Sequence, residues 1–278
     1  MLTISVSKFR SIRHCSDSGM LCAFRPSNGL RRKYALPLDS TAVVWQLPEQ
    51  DDAIGPPLDV RLLRRELRAF LSTKDEKGRS IGSSRLGVYA FYDYDGEPIY
   101  VGQTRESLSQ RISRHMTNQR TDAVAMNVLD PFEVAEIEVW PIEVSEPSEA
   151  GLVLNAAEYS VFMKLLRESK FGAVLNEATP TPTAEVLLPQ SYRGRIVPAE
   201  VYALRVHPDV RIARRAATIA NLARVISERD VSKGLRVTLL TQARRLEDLA
   251  AARLAQLEIE ADQRAPSYPQ HTGEGDEV

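Results

Sequence analysis

The sequence predicts an α/β chain in which a small, mainly antiparallel three-stranded sheet flanked by helices is followed by a largely α-helical carboxy-terminal region. Three observations predict it. Residues 86–92 and 98–101 are aromatic and β-branched runs on either side of Asp95-Gly96, a hairpin dipeptide. Residues 134–142 alternate again, with Ala135, Ile137 and Val139 set against Glu136, Glu138 and Trp140, which predicts a third strand with one solvent-facing side. Helical spacing then dominates 148–169 and, further on, 209–227 and 235–258.

A two-residue hairpin turn pairs Tyr94 with Glu97, Phe91 with Tyr100 and Tyr89 with Gly102. That register places Tyr89, Phe91 and Tyr100 on one face and Val88, Ala90, Ile99 and Val101 on the other. Gly102, lacking a side chain, leaves Tyr89 uncovered. The chain then enters a helix over 107–116, where Leu108, Ile112 and Met116 form the inward stripe and Arg111 and His115 stand four apart on a neighbouring one. An arginine and a histidine therefore project together beside two tyrosines.

This stretch resembles the GIY-YIG nuclease family. The two name-giving motifs stand here as Gly87-Val88-Tyr89 and Tyr100-Val101-Gly102, followed by Leu108, Arg111 and His115 in the Leu-x-x-Arg-x-x-x-His pattern. Five features in order carry the resemblance, which covers about 86–177, a third of the chain. It implies an endonuclease hydrolysing phosphodiester bonds in DNA. Tyr89 then takes part in activating the nucleophile, directly or through a water, and needs nearby positive charge because a phenol ordinarily titrates near 10. Arg111 supplies that charge and clamps a phosphate oxygen with its planar fork. Tyr100 orients water or phosphate, and His115 accepts or relays a proton.

In the helix over 148–169, Ser148 is the expected N-cap, and Leu152, Ala156, Tyr159, Phe162, Met163 and Leu166 the expected core stripe. Glu158 is flanked by Leu154, Val161 and Phe162, and a carboxylate among apolar neighbours needs a partner. Periodicity alone leaves an arginine salt bridge or an exposed position open. The resemblance makes Glu158 the single metal ligand, holding Mg²⁺ with Mn²⁺ as a substitute, and makes Asn176 a residue that brace the site; read without it, Asn176 is an ordinary turn residue.

The flanks carry less information. The basic stretch Lys8, Arg10, Arg13, Arg25, Arg31, Arg32 and Lys33 meets only Asp17, and reads either as an arm along a phosphate backbone or as a solvated face. Residues 41–47 suggest a short strand, 58–71 an amphipathic helix and 72–84 a polar link. We divide the chain into an amino-terminal segment (1–84), the nuclease module (85–179), a helical extension (180–260) for DNA binding, dimerisation or both, and a disordered tail (261–278). Residues 201–206 read as one more strand. The helical extension is rich in arginine, and Arg105, Arg114, Arg211, Arg215 and Arg244 are the candidate DNA contacts; the alternative for such a run is a solvated helix face.

A net charge of -1 does not announce a nucleic-acid partner, so attraction to phosphate must be local. Cys15 and Cys22 have neither zinc-knuckle spacing nor a second pair and read as thiols in a reducing cytoplasm. No signal peptide or membrane span is expected. The combined expectation is a cytoplasmic, sequence-specific restriction or defence endonuclease acting on duplex DNA as a homodimer. A structure-selective repair or recombination nuclease, and a binding module that has lost cleavage, are the alternatives.

Overall fold

The Asp95-Gly96 hairpin forms, with a longer loop than a two-residue turn. In the computed structural model, which describes residues 56–117 and 128–264, β1 (Gly87–Tyr92) pairs antiparallel with β2 (Pro98–Thr104). Phe91 lies opposite Tyr100 and Tyr89 opposite Gly102, the expected register. Gly96 N–H donates to the Asp93 carbonyl at 3.1 Å and Asp93 N–H to that of Glu97 at 3.0 Å. With Gly96 at φ 76°, this is a three-residue loop closed by a left-handed glycine. Tyr94 therefore does not pair with Glu97. The register shifts between Phe91 and Tyr92, and the bulge turns Ile99 onto the tyrosine face rather than the opposite one.

The sheet has four strands where three were expected, in the order β2-β1-β3-β4, all antiparallel. β3 (Glu136–Pro141) pairs with β1, and β4 (Tyr192–Arg195) with β3. The fourth strand shows no apolar alternation, because cross-strand charge holds it. Arg193 Nε meets Glu136 at 2.8 Å while its guanidinium lies 3.7 Å from the centre of the Tyr92 ring.

Helices cover both faces. α1 (Leu58–Leu71) and α2 (Leu108–Thr117) pack on the side of Tyr89, Phe91 and Val139. α3 (Ala150–Glu168) packs on the side of Val88, Ala90 and Trp140. The supposed solvent side of β3 is therefore buried: Glu138 is 6% exposed and accepts the Tyr92 hydroxyl at 2.5 Å, and Trp140 lies beneath α3. α3 is entered through a 3-10 turn, Pro147–Glu149, and Ser148 makes no capping bond. Its buried stripe is Leu154, Ala157, Val161, Phe162 and Leu165; of the expected stripe Phe162 is buried and Met163 and Leu166 pack partly buried against the same core, while Leu152 is 76% exposed.

α4 (Ala199–Arg205), opened by Pro198, stands where a strand was expected over 201–206. α5 (Pro208–Glu228) and α6 (Lys233–Arg264) form the expected helical hairpin, Leu222 packing on Leu235 at the turn and Arg253 pairing with Asp209 at the far end. Helix continues through Arg264, past the expected start of the tail. The chain divides into units Met1–Pro48 and Glu49–Val278, and the described residues lie in the second. The basic segment, both cysteines and the strand expected over 41–47 lie outside the described residues, as does the chain after 264. Among the described residues no helix is long and apolar enough to cross a membrane.

The arginines of the hairpin overturn an expectation. Arg211, Arg215 and Arg245 are 3%, 4% and 1% exposed and sit on the inward faces of α5 and α6. Arg211 grips both Asp95 oxygens, Arg215 Nη2 meets Asp93 at 2.7 Å, and Arg245 Nη2 donates to the Pro98 carbonyl at 3.1 Å. Their charges are spent on the β1–β2 loop. Arg211 and Arg215 are thus internal anchors of the extension and not DNA contacts, since a duplex cannot reach a guanidinium buried and paired inside the protein.

Candidate active site

β1, β2 and α2 bring Tyr89, Tyr100, Arg111 and His115 together. The Tyr89 hydroxyl lies 2.8 Å from His115 Nε2, and Arg111 Nε donates to it at 3.3 Å. Ring centroids of Tyr89 and Tyr100 are 6.2 Å apart, and the His115 ring is 5.3 Å from that of Tyr100. Arg111 can only donate, so the phenol oxygen accepts from it; in the tautomer where the phenol donates to Nε2, the imidazole carries its proton on Nδ1, which is buried without a partner among the described residues.

Electrostatics set the resting protonation of Tyr89. The side chain has no exposed surface, and burial pushes its hydroxyl well above the ordinary phenol range despite the opposing Arg111 charge. The resting phenol is therefore neutral. Burial, aided by Arg111 and Arg114, lowers His115 to about 4, so it is a neutral acceptor at pH 7. Below about 6.5 an unfolded chain takes up a proton that the folded one refuses until about 4. Stability from this residue is thus complete above 6.5 and is lost as pH falls. Urea unfolding of wild type and His115→Gln at pH 7 and 4.5 should show the wild type losing about 2–3 kcal/mol more than the variant; equal losses would contradict the buried neutral imidazole.

Gly102 turns out to make room for Tyr89 instead of baring it. A Cβ there would lie 2.6 Å from the Tyr89 hydroxyl and 2.8 Å from Tyr100 Cε1. Both rings are packed in the core, so neither can yield cheaply. Gly102→Ala is expected to cost about 1–3 kcal/mol in stability and about a hundredfold in cleavage, because it displaces both phenols. Thermal melting and plasmid cleavage check the two parts.

Glu158 reaches the same neighbourhood from α3, beyond the sheet edge. It makes no salt bridge among the described residues. Instead Gln103 Nε2 donates to its Oε2 at 3.0 Å and to Asn155 Oδ1 at 2.9 Å. Burial raises the Glu158 carboxyl to about 6, against the lowering effects of Gln103 and Arg111, which leaves it mostly ionised at pH 7. Asn176 is no ordinary turn residue: its side-chain oxygen accepts Val101 N–H at 2.9 Å and its amide donates to the Val101 carbonyl at 2.8 Å, tying 174–176 to β2. An open depression beside these groups is lined by Gln103, Thr104, Arg105, Glu106 and Arg111.

Residues 85–160 match the family model of the GIY-YIG catalytic domain. The module is therefore of a nuclease family, and DNA is the substrate class this suggests. The match takes in Tyr89, Tyr100, Arg111, His115 and Glu158 and ends before Asn176. Neither curated proteins nor solved structures give a significant match to the chain. Around the GIY-YIG module, Arg105 is exposed with its guanidinium over Gly151 at the start of α3, Arg114 pairs with Glu106, and Arg244 is exposed without an ion pair among the described residues. Sequence reading missed Gln103 and Asn155. The Gln103 position directly after Gly102 was the available signal, but its contact to α3 crosses 55 residues of chain.

Proposed function

We propose that this chain is a metal-dependent endodeoxyribonuclease. The observation that carries the reading is the Tyr89 hydroxyl held between Arg111 Nε and His115 Nε2, with Glu158 steered by Gln103 close by. One Glu158 oxygen is engaged and the other makes no hydrogen bond among the described residues, where no group of three or more acidic, His or Cys side chains forms a metal cage. A single carboxylate fits Mg²⁺, or Mn²⁺ in its place, because Mg²⁺ keeps most of its waters and shares phosphate oxygens. When bound, the ion would offset the charge that builds on the phosphoryl group. Arg111 holds a non-bridging oxygen, and Tyr100 orients the phosphate. Tyr89, being buried, takes the nucleophile's proton through an intervening water while passing its own to His115. Asn176 keeps β2, and so Tyr100, in place.

In this reading the enzyme is a cytoplasmic restriction or defence nuclease whose target is chosen by regions outside the GIY-YIG module. Two copies would cut the two strands, and the last turns of α6, with Leu254, Leu257 and Ile259 at 59%, 44% and 58% exposure, offer the second copy an apolar surface. Supercoiled plasmid with Mg²⁺ tests the proposal. Wild type should yield discrete linear fragments, and Glu158→Ala and Arg111→Ala, confirmed folded, should not. Equal cleavage by all three proteins would sink the site assignment, and preference for branched oligonucleotides over linear duplex would move the role to repair or recombination.

A further inference from the structure

The carboxy-terminal hairpin divides its cations into two populations. Arg211, Arg215 and Arg245 are consumed inside the protein, as described above. On the outside, Arg224, Arg253 and Arg264 pair with Glu228, Asp209 and Glu260. Lys233, Arg236 and Arg244 are different: all three are exposed, and none has an ion pair among the described residues. They lie at spacings of three and eight along α6, so they share one helix face. Glu247, a turn further on, and Asp230, in the turn between the helices, bound the line.

The place where α6 is fixed gives this line a meaning. Its first residues rest on the segment 176–177, which Asn176 ties to β2. Gly234 sits so close to the Glu177 carbonyl that a Cβ would be 2.0 Å from the oxygen, Ser232 Oγ donates to the same carbonyl at 2.9 Å, and Thr238 Oγ1 donates to the Asn176 carbonyl at 3.3 Å. Asn176 in turn holds Val101, the neighbour of Tyr100. Lys233 therefore starts the row at the end of α6 that rests on residues 176–177, and the row leads away from that end along the helix. From 233 to 244 the rise is about 16 Å, the length of roughly five base pairs of duplex.

We propose that Lys233, Arg236 and Arg244 form a phosphate-backbone track for duplex DNA flanking the scissile bond, an assignment that rests on the nuclease reading above. Cations left unneutralised in one line are what a polyanion requires, since each neutralised phosphate releases condensed counterions and makes binding steeply salt-dependent. No base readout is assigned to them. The track sets where the duplex lies, and so which phosphate reaches Arg111.

The test measures binding of full-length protein to a linear duplex in EDTA, where cleavage does not intervene, across a salt series. The variant is Lys233→Gln/Arg236→Gln/Arg244→Gln. A control with the same charge change, Arg68→Gln/Lys74→Gln/Arg85→Gln, alters exposed cations of α1 and of the segment between α1 and β1, and circular dichroism checks folding of both. The track predicts that the slope of log K against log salt falls by about 2–3 in the first variant, at about 0.9 per lost phosphate contact, while the control changes by less than one. Equal loss in both, or a slope unchanged in the track variant, overturns the proposal. Absence of duplex binding by wild type also overturns it. Plasmid cleavage with Mg²⁺ separates the two readings: loss of the slope without cleavage by wild type keeps the track and rejects the nuclease, and wild-type cleavage with an unchanged slope does the reverse.

Discussion

Arg215→Ala is expected to destabilise the protein by about 3–5 kcal/mol, the usual consequence of removing one member of a buried ion pair. Arg215 is 4% exposed and Asp93 3%. Each has further obligations: one Asp93 oxygen meets Arg215 while the other accepts the N–H groups of Asp95 at 2.8 Å and Glu97 at 3.0 Å. Arg215 also donates to the Arg245 carbonyl at 3.2 Å and so links α5 to α6. Alanine would leave the buried carboxylate that shapes the β1–β2 loop with only the more distant Arg245, 3.7 Å away, as an ion-pair partner among the described residues. Urea unfolding measures the loss, and adding Asp93→Asn to Arg215→Met should recover part of it because the buried Asp93–Arg215 pair is then removed as a whole. A loss below 1 kcal/mol for Arg215→Ala would mean that the extension does not anchor on the hairpin loop.

Tyr89→Phe is expected to reduce cleavage by about 10²–10⁴ through kcat, the range spanned by a lost proton-transfer group. Phenylalanine keeps the ring that lies 5.4 Å from Phe91 and 6.2 Å from Tyr100, so the fold should survive. What disappears is the oxygen that contacts both Arg111 and His115. The stranded imidazole would add a stability cost of about 1–3 kcal/mol. Single-turnover cleavage at saturating enzyme separates chemistry from DNA binding, which should be nearly unchanged. Retention of more than a tenth of wild-type rate would remove Tyr89 from the proton path.

Much of the module was legible because its signals are local. Asp95-Gly96 marks a turn, the flanking alternation defines strands, and Leu108, Arg111, Ile112 and His115 separate into two stripes by helical period alone. The register that sets Tyr89 opposite Gly102 followed from those signals. Its details did not: one further loop residue moved Ile99 across the sheet. β4 was missed because Arg193 and Glu136 hold it by charge, and the burial of Glu138 depended on α3 closing over that face. Arg211, Arg215 and Arg245 misled for the same reason. Helical spacing says which residues share a face, but not whether that face meets water or three carboxylates from a loop more than a hundred residues earlier.

By itself, then, the sequence determined the hairpin, its register and the identity of the groups around Tyr89, all of which depend on neighbours within about thirty residues. Only the tertiary structure decided their protonation, the clamp of Gln103 on Glu158, and which arginines remain for a partner. Burial and long-range pairing set those properties, and neither is written in local spacing.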